Sequence, residues 1–224
     1  MHSIAFFTVM AMSAISAALA ENTVRWSSQG DAMTMDPHSQ NEGMTLALGK
    51  QVHESLILRT HTMSLEPGLA TSWGLTDDPT VWEFTLRQGV AFHDQRPFTA
   101  DDVVFSFERA LQPTSDMKDI IGTVQRVIAI DDYTVQITTS GPNPILPQQV
   151  TEIFVMSRGW AEEHGVTEPQ DTASGEETYA VRHTNGTGPF VLELREPEVR
   201  TVVTKNRGWW GLQNKNPHNV DHVI

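Results

Sequence analysis

The run Trp82-Glu83-Phe84-Thr85-Leu86-Arg87-Gln88-Gly89-Val90-Ala91-Phe92-His93-Asp94-Gln95-Arg96-Pro97-Phe98-Thr99-Ala100-Asp101-Asp102-Val103-Val104-Phe105-Ser106-Phe107 changes its hydrophobic period partway along. In its first third Trp82, Phe84 and Leu86 alternate with Glu83, Thr85 and Arg87, the period of an extended chain with one buried face. Asp77-Asp78-Pro79 makes a turn just upstream, so the strand is predicted over Val81 to Arg87. Later the period becomes helical. Thr99 is placed to cap, Pro97 precedes it, and Asp101 and Asp102 sit where a helix dipole favours negative charge. Val103, Phe107 and Ala110, or Val104 and Leu111, would face inward, and Gln112-Pro113 ends the helix.

Outward from this run, Val24 and Trp26 alternate with polar neighbours in a strand over Thr23 to Ser28, and Gly30 to Gly43 reads as a polar loop. Leu48, Val52 and Leu56 recur every four residues, predicting a helix over Thr45 to Leu58. Downstream, Val124 to Ile130 and Tyr133 to Thr139 form a hairpin about Asp131-Asp132. Further strands are predicted at Ile153 to Met156, Phe190 to Leu194 and Val199 to Lys205, the last two joined through Glu196-Pro197-Glu198. Val220 to Ile224 alternates like a strand and the chain stops there, which predicts a truncated protein. Helices and strands alternate without a regular βαβ beat, so the expected class is mixed α/β, an α+β arrangement.

The 224 residues carry 15 Lys plus Arg against 28 Asp plus Glu, a formal net charge of −13 with no basic cluster, which argues against a nucleic-acid partner. The absence of cysteine excludes disulfides, thiol nucleophiles and Cys-ligated zinc. Ile4 to Ala20 has no charged side chain and ends Ala18-Leu19-Ala20 before Glu21, the pattern of a cleaved secretory signal peptide over residues 1–20. The mature product is therefore expected outside the cytoplasm.

Few residues suggest covalent or metal chemistry. His53-Glu54 and His61 lack the four-residue His spacing of a helical zinc site. Met33, Met35 and Met44 could offer thioethers to a soft metal, although packing explains them more simply. Asn185-Gly186-Thr187-Gly188-Pro189 has no following Lys and reads as a turn with close backbone approach, not a phosphate cradle. No G-x-S-x-G elbow is present. The six tryptophans, Trp26, Trp73, Trp82, Trp160, Trp209 and Trp210, could line a cleft, but each taken singly is expected in a core.

The opening run closely resembles the signature of the peptide-binding family, family 5, of ABC-transporter solute-binding proteins, in which it reads aromatic-x-F-x-L-R-x-G-V-x-F-H-D-G-x-P-F-x-A-x-D-V-x-F-S. Leu65 to Trp73, Gly186 to Phe190, and Asn206 with Trp209-Trp210-Gly211 match further family segments in the same order, as does the loop from Ser28 to Glu42. The resemblance covers the first half of such proteins. It implies a periplasmic-binding-protein-like fold, here the first lobe of a two-lobe hinged cleft, with lobe II absent. Residues 21–43 and 184–224 would form the main sheet, 44–168 an added subdomain and 169–183 a connecting loop.

The resemblance further implies capture of di- or oligopeptides in the periplasm and delivery to an inner-membrane ABC permease by a monomer, with no catalytic residue, metal or cofactor. Loose alignment puts Gln40, Asn41, Glu42, Met44, Glu152 and Phe154 at ligand-facing positions. Two departures stand out: His53 where the family often has Tyr, and Gln95 where the turn usually has Gly, which implies a changed turn or a strained residue at positive φ. A nickel chelate or other non-peptide solute, an envelope hydrolase, and a lone lobe with little function of its own remain alternatives.

Overall fold

A computed structural model describes residues 21–213 and 220–224; the expected leader, residues 1–20, lies outside the described residues. Two four-stranded sheets and a two-stranded ribbon carry the fold. The first sheet takes strands from both ends of the described chain, β1 (Thr23–Val24), β8 (Phe190–Glu196), β9 (Arg200–Lys205) and β10 (His222–Val223), in the order β1-β10-β9-β8. β1 pairs in parallel with β10, and the other pairings are antiparallel. The second sheet, wholly antiparallel, is β4 (Ala70–Leu75), β5 (Val81–Leu86), β7 (Thr134–Thr139) and β6 (Val124–Asp131). The ribbon joins β2 (Ile57–Arg59) to β3 (Leu65–Pro67).

Strand β5 follows its alternation: Phe84 and Leu86 are buried, Glu83 and Thr85 exposed and Trp82 half-buried. Helix α2 (Ala100–Ala110) packs its Val103, Phe107 and Ala110 into the same core. Its start is a capping box, in which Asp102 Oδ2 accepts from the backbone N–H of Thr99 at 2.9 Å. Between strand and helix the turn bends through Gln95 at φ 71°, the left-handed conformation that glycine accommodates without strain. That turn docks onto the Asn185–Gly188 segment. His93 donates its backbone N–H to Gly186 O at 2.9 Å and Nε2–H to Gly188 O at 3.1 Å, while Asn185 Oδ1 accepts from Asp94 N at 3.1 Å.

The same segment abuts helix α1 (Gly43–Val52): Gly188 N donates to Val52 O at 2.9 Å, and a Cβ added at Gly186 would lie 1.9 Å from that oxygen. The expected close approach is therefore real, and it demands glycine.

Helix α1 ends six residues before its predicted limit. At His53 the backbone turns extended, with φ −108° and ψ 160°. The residues beyond find sheet-like partners: Ser55 bridges Phe154, Val155 N donates to Glu54 O, and Leu69 N donates to Ser55 O. Leu56 is buried as the helical stripe required, but from extended backbone. The strand expected at Ile153 to Met156 reduces to that single bridge at Phe154. The loop from Gly30 to Gly43 is the larger surprise, since Thr34 through Ser39 are all buried. Trp160 alone of the six tryptophans is buried. Among the described residues no helix is long and apolar enough to cross a membrane.

Candidate functional site

A polar loop can be buried only if its charges and backbone groups find partners inside. Asp36 supplies the first. Its two carboxylate oxygens accept from Arg109 Nη1 at 2.6 Å and Nη2 at 2.7 Å, a bidentate pair with both side chains wholly excluded from solvent. The carboxylate also accepts backbone N–H groups from His38 and Gln170, each at 3.0 Å. Burial alone would raise the Asp36 pKa, but the charge and hydrogen bonds of Arg109 outweigh it and hold the group below its ordinary value. Arg109 gives two further donors to the carbonyls of Val166 and Glu168, at 3.1 and 2.9 Å.

His38 completes the cluster. Arg109 Nη1 lies 3.1 Å from its Nδ1, which must accept because guanidinium can only donate; Nε2 therefore carries the proton and donates to Phe154 O at 2.9 Å. Burial, and then the neighbouring Arg109 charge, lowers the His38 pKa to about 4, so the ring is neutral at pH 7.

Above this anchorage the chain emerges at the start of α1. Gln40 is half-buried, and its amide donates to Ser39 O. Asn41 and Gly43 are exposed. Glu42 caps the helix, its carboxylate accepting from Met44 N at 2.9 Å and Thr45 N at 2.6 Å as well as from the Thr45 hydroxyl. Despite slight burial, these bonds hold Glu42 below the ordinary carboxylate pKa. Gln40 and Phe154 meet in a shallow crevice, together with Met35, Pro37, Leu46 and Gly49. Glu152 goes elsewhere: it pairs with Lys50 of the last helical turn at 3.3 Å. Thus Gln40, Asn41, Glu42 and Met44 form one rim at the start of α1, of which Gln40 alone lines the crevice walled by Phe154, and Glu152 is engaged at the other end of the helix.

Two further polar groupings escaped the sequence reading. On α2, Asp102, Ser106 and Arg109 lie on one stripe, and all three are buried. Arg158 N donates to Asp102 Oδ1, Met156 N donates to Ser106 Oγ, and Arg109 donates to Val166 O. The stripe supplies partners to the start and the flanks of a short helix over Arg158–Glu163. The signal was present: these polar residues stand at helical spacing beside the apolar ones.

The second grouping surrounds Glu54, a buried carboxylate that accepts from Thr187 Oγ1 at 2.9 Å, Trp209 Nε1 at 3.0 Å and Trp210 Nε1 at 2.8 Å. Burial raises its pKa, and these three donors oppose the shift only in part. Arg87 stacks its guanidinium over the Trp210 ring, 3.8 Å from the centroid. The partners lie far apart in sequence, so no local pattern announces the knot. His53, beside Glu54, bonds Thr184 Oγ1 at 2.6 Å and stacks on Phe154 with centroids 6.0 Å apart. No group of three His, Cys, Asp or Glu side chains placed to hold a metal occurs among the described residues.

Comparisons with known proteins place this architecture. The profile described as "Bacterial extracellular solute-binding proteins, family 5 Middle" matches residues 64–224. The dipeptide-binding protein of Escherichia coli is 26% identical over 225 residues, covering 89% of this chain and 40% of the relative. Heme-binding protein A of Haemophilus influenzae is 30% identical over 186 residues, covering 74% of this chain and 33% of the relative. Among solved structures, the periplasmic binding protein DppA of Helicobacter pylori in complex with the peptide STSA superposes with a TM-score of 0.76 at 25% identity, over 91% of this chain and 42% of that one. The fold is that of part of a periplasmic binding protein, and the chain spans about 40% or less of the curated relatives' length. This chain belongs to family 5 of the bacterial extracellular solute-binding proteins.

Proposed function

We propose that the chain is the ligand-capturing part of an extracytoplasmic solute-binding component of an ABC importer, which takes di- or oligopeptides and passes them to an inner-membrane permease. The observation that carries this reading is the rim Gln40–Met44, solvent-facing at Asn41 and Gly43 and fixed from beneath by Asp36 and Arg109. Such a rim offers amide and backbone groups to an extended peptide main chain while keeping its own geometry. The family supports the class, and the names of the relatives in E. coli and H. pylori support peptides.

In this reading the sheet β1-β10-β9-β8, drawn from residues 21–43 and 184–224, is the body of lobe I, and residues 44–168 form its added subdomain, joined by 169–183. Residues 1–20 direct the chain to the periplasm, and it works there as a monomer, binding its solute without covalent chemistry or a cofactor. The Haemophilus relative is named for heme, which makes a non-peptide solute the second reading.

Calorimetric titration of the purified chain with a di- to pentapeptide pool, with hemin and with nickel–histidine separates these readings. Saturable heat with peptides alone is the expected result. Saturable heat with hemin or nickel–histidine alone replaces the peptide assignment, and heat from none of them overturns capture by this chain.

A further inference from the structure

We propose that His38 is a positioning residue which sets the distance between the rim at Gln40–Met44 and the Phe154 wall of the crevice. The proposal rests on the reading of that rim as the ligand face. A hydrogen bond from His38 ties the loop directly to Phe154, and every polar group of His38 takes part in holding it. Its Nδ1 accepts from Arg109 Nη1 at 3.1 Å, and its Nε2–H donates to Phe154 O at 2.9 Å. Its backbone N–H donates to Asp36, and its carbonyl accepts from Ser115 Oγ at 2.9 Å and Asp116 N at 3.2 Å. The residue is wholly buried.

The link continues beyond Phe154. The Phe154 ring lies against Gly49 of α1 so closely that a Cβ there would come within 2.9 Å of Cε2. The His53 ring stacks on it with centroids 6.0 Å apart. Arg109, His38 and Phe154 therefore form one chain of contacts that reaches the later turns of α1, the helix that begins at the rim.

Only one protonation state of His38 satisfies these contacts. A proton on Nδ1 would point an N–H at the Arg109 guanidinium, setting donor against donor, and if Nε2 keeps its proton as well, cation against cation. The charged and titratable groups that face the ring are Arg109 and Asp36, with His53 close enough to interact. Asp36 cannot compensate, because both of its oxygens already accept from Arg109. Acid should therefore loosen the loop and the Phe154 segment together.

The test uses nuclear magnetic resonance of the 15N-labelled chain, first without ligand. The expected imidazole signature is the neutral tautomer protonated on Nε2. Amides of residues 39–45 and of Phe154 and Val155 should move together on acidification with one midpoint, shared with the His38 ring. His38→Gln keeps a donor toward Phe154 O but cannot titrate, so this shared transition should vanish while the spectrum stays folded.

An Nδ1–H tautomer, independent titration of the two segments, or the same transition in His38→Gln would overturn the proposal. Peptide is then added at neutral pH. His38→Gln should bind within about threefold of the parent and His38→Ala about tenfold or more weakly. Equal binding by parent and folded His38→Ala would also overturn it. If the parent shows the shared transition but binds no peptide, the ligand assignment fails while the coupling of the two segments stands.

Discussion

Trp210 donates its indole Nε1–H to Glu54 Oε2 at 2.8 Å and receives the Arg87 guanidinium on its ring face at 3.8 Å from the centroid. One indole thus joins a buried carboxylate through its edge and a cation through its face, ties that use opposite ends of its charge distribution. Trp209 and Thr187 complete the set around Glu54, so two distant stretches of chain converge on its carboxylate and a third, through Arg87, on Trp210.

Replacing Glu54 by Gln keeps the volume but turns one acceptor oxygen into an N–H donor, facing groups that can only donate or that already do so. The expected loss is about 2–3 kcal/mol of stability, with altered tryptophan emission, read by urea unfolding followed by fluorescence. A variant as stable as the parent would show that the knot adds nothing to the fold.

Gly186 faces Val52 O at a separation no Cβ can occupy. Gly186→Ala should cost about 3 kcal/mol or prevent folding, because the obstacle is backbone rather than a side chain that can swing away. Gly43→Ala has open space around its added carbon and should be neutral or stabilising by up to about 1 kcal/mol, as helix propensity favours Ala. Thermal melts of the pair separate the close approach from any general effect of added bulk.

Arg109→Met should remove about 3–5 kcal/mol, since it strands the Asp36 carboxylate in the interior. The double variant Asp36→Asn with Arg109→Met should recover part of that loss. A strictly additive double-mutant cycle would contradict a direct pair.

Acid sensitivity follows from His38 and His53. Burial is the main cause in both, and their folded pKa values fall from 6.5 to about 4 and about 3. Below pH 6.5 the unfolded chain takes up these protons while the folded chain does not. Stability present above 6.5 is therefore lost as pH falls toward 4 for His38 and toward 3 for His53, about 3 kcal/mol from His38 alone. Glu54 and Asp102 act in the opposite sense: burial raises their folded values, so each favours the fold increasingly as pH falls through its folded pKa. Urea midpoints measured between about pH 7 and pH 4 should fall, and fall less steeply in His38→Gln.

Gln95→Gly should stabilise by about 1 kcal/mol, because the exposed residue holds φ 71° and loses no buried contact on truncation. Chemical denaturation at neutral pH is sufficient to detect it.

What the sequence disclosed follows from how far apart the partners stand. Strand β5, the Thr99 cap and helix α2 are set by neighbours within a few residues, and all three were legible. So was the demand for glycine in the Asn185–Pro189 turn, although not its partner Val52. Helix α1 was overextended because Leu56 keeps the apolar spacing after Ser55 has left the helix to pair with Phe154. The loop of Asp36 and His38 read as solvated coil, since its burial depends on Arg109, 73 residues away from Asp36. Of the residues expected to face a ligand, Gln40 and Phe154 share a crevice, whereas Glu152 is committed to Lys50.

The placement of Asp36, His38 and Arg109 beneath the rim divides duties among residues. The anchorage is internal, and Gln40, Asn41 and Met44 are not parts of it. A lineage can therefore try new side chains at those three positions without endangering the architecture that displays them. On the proposed reading of the rim as the ligand face, cargo preference can drift on such a scaffold while the way it folds is inherited intact.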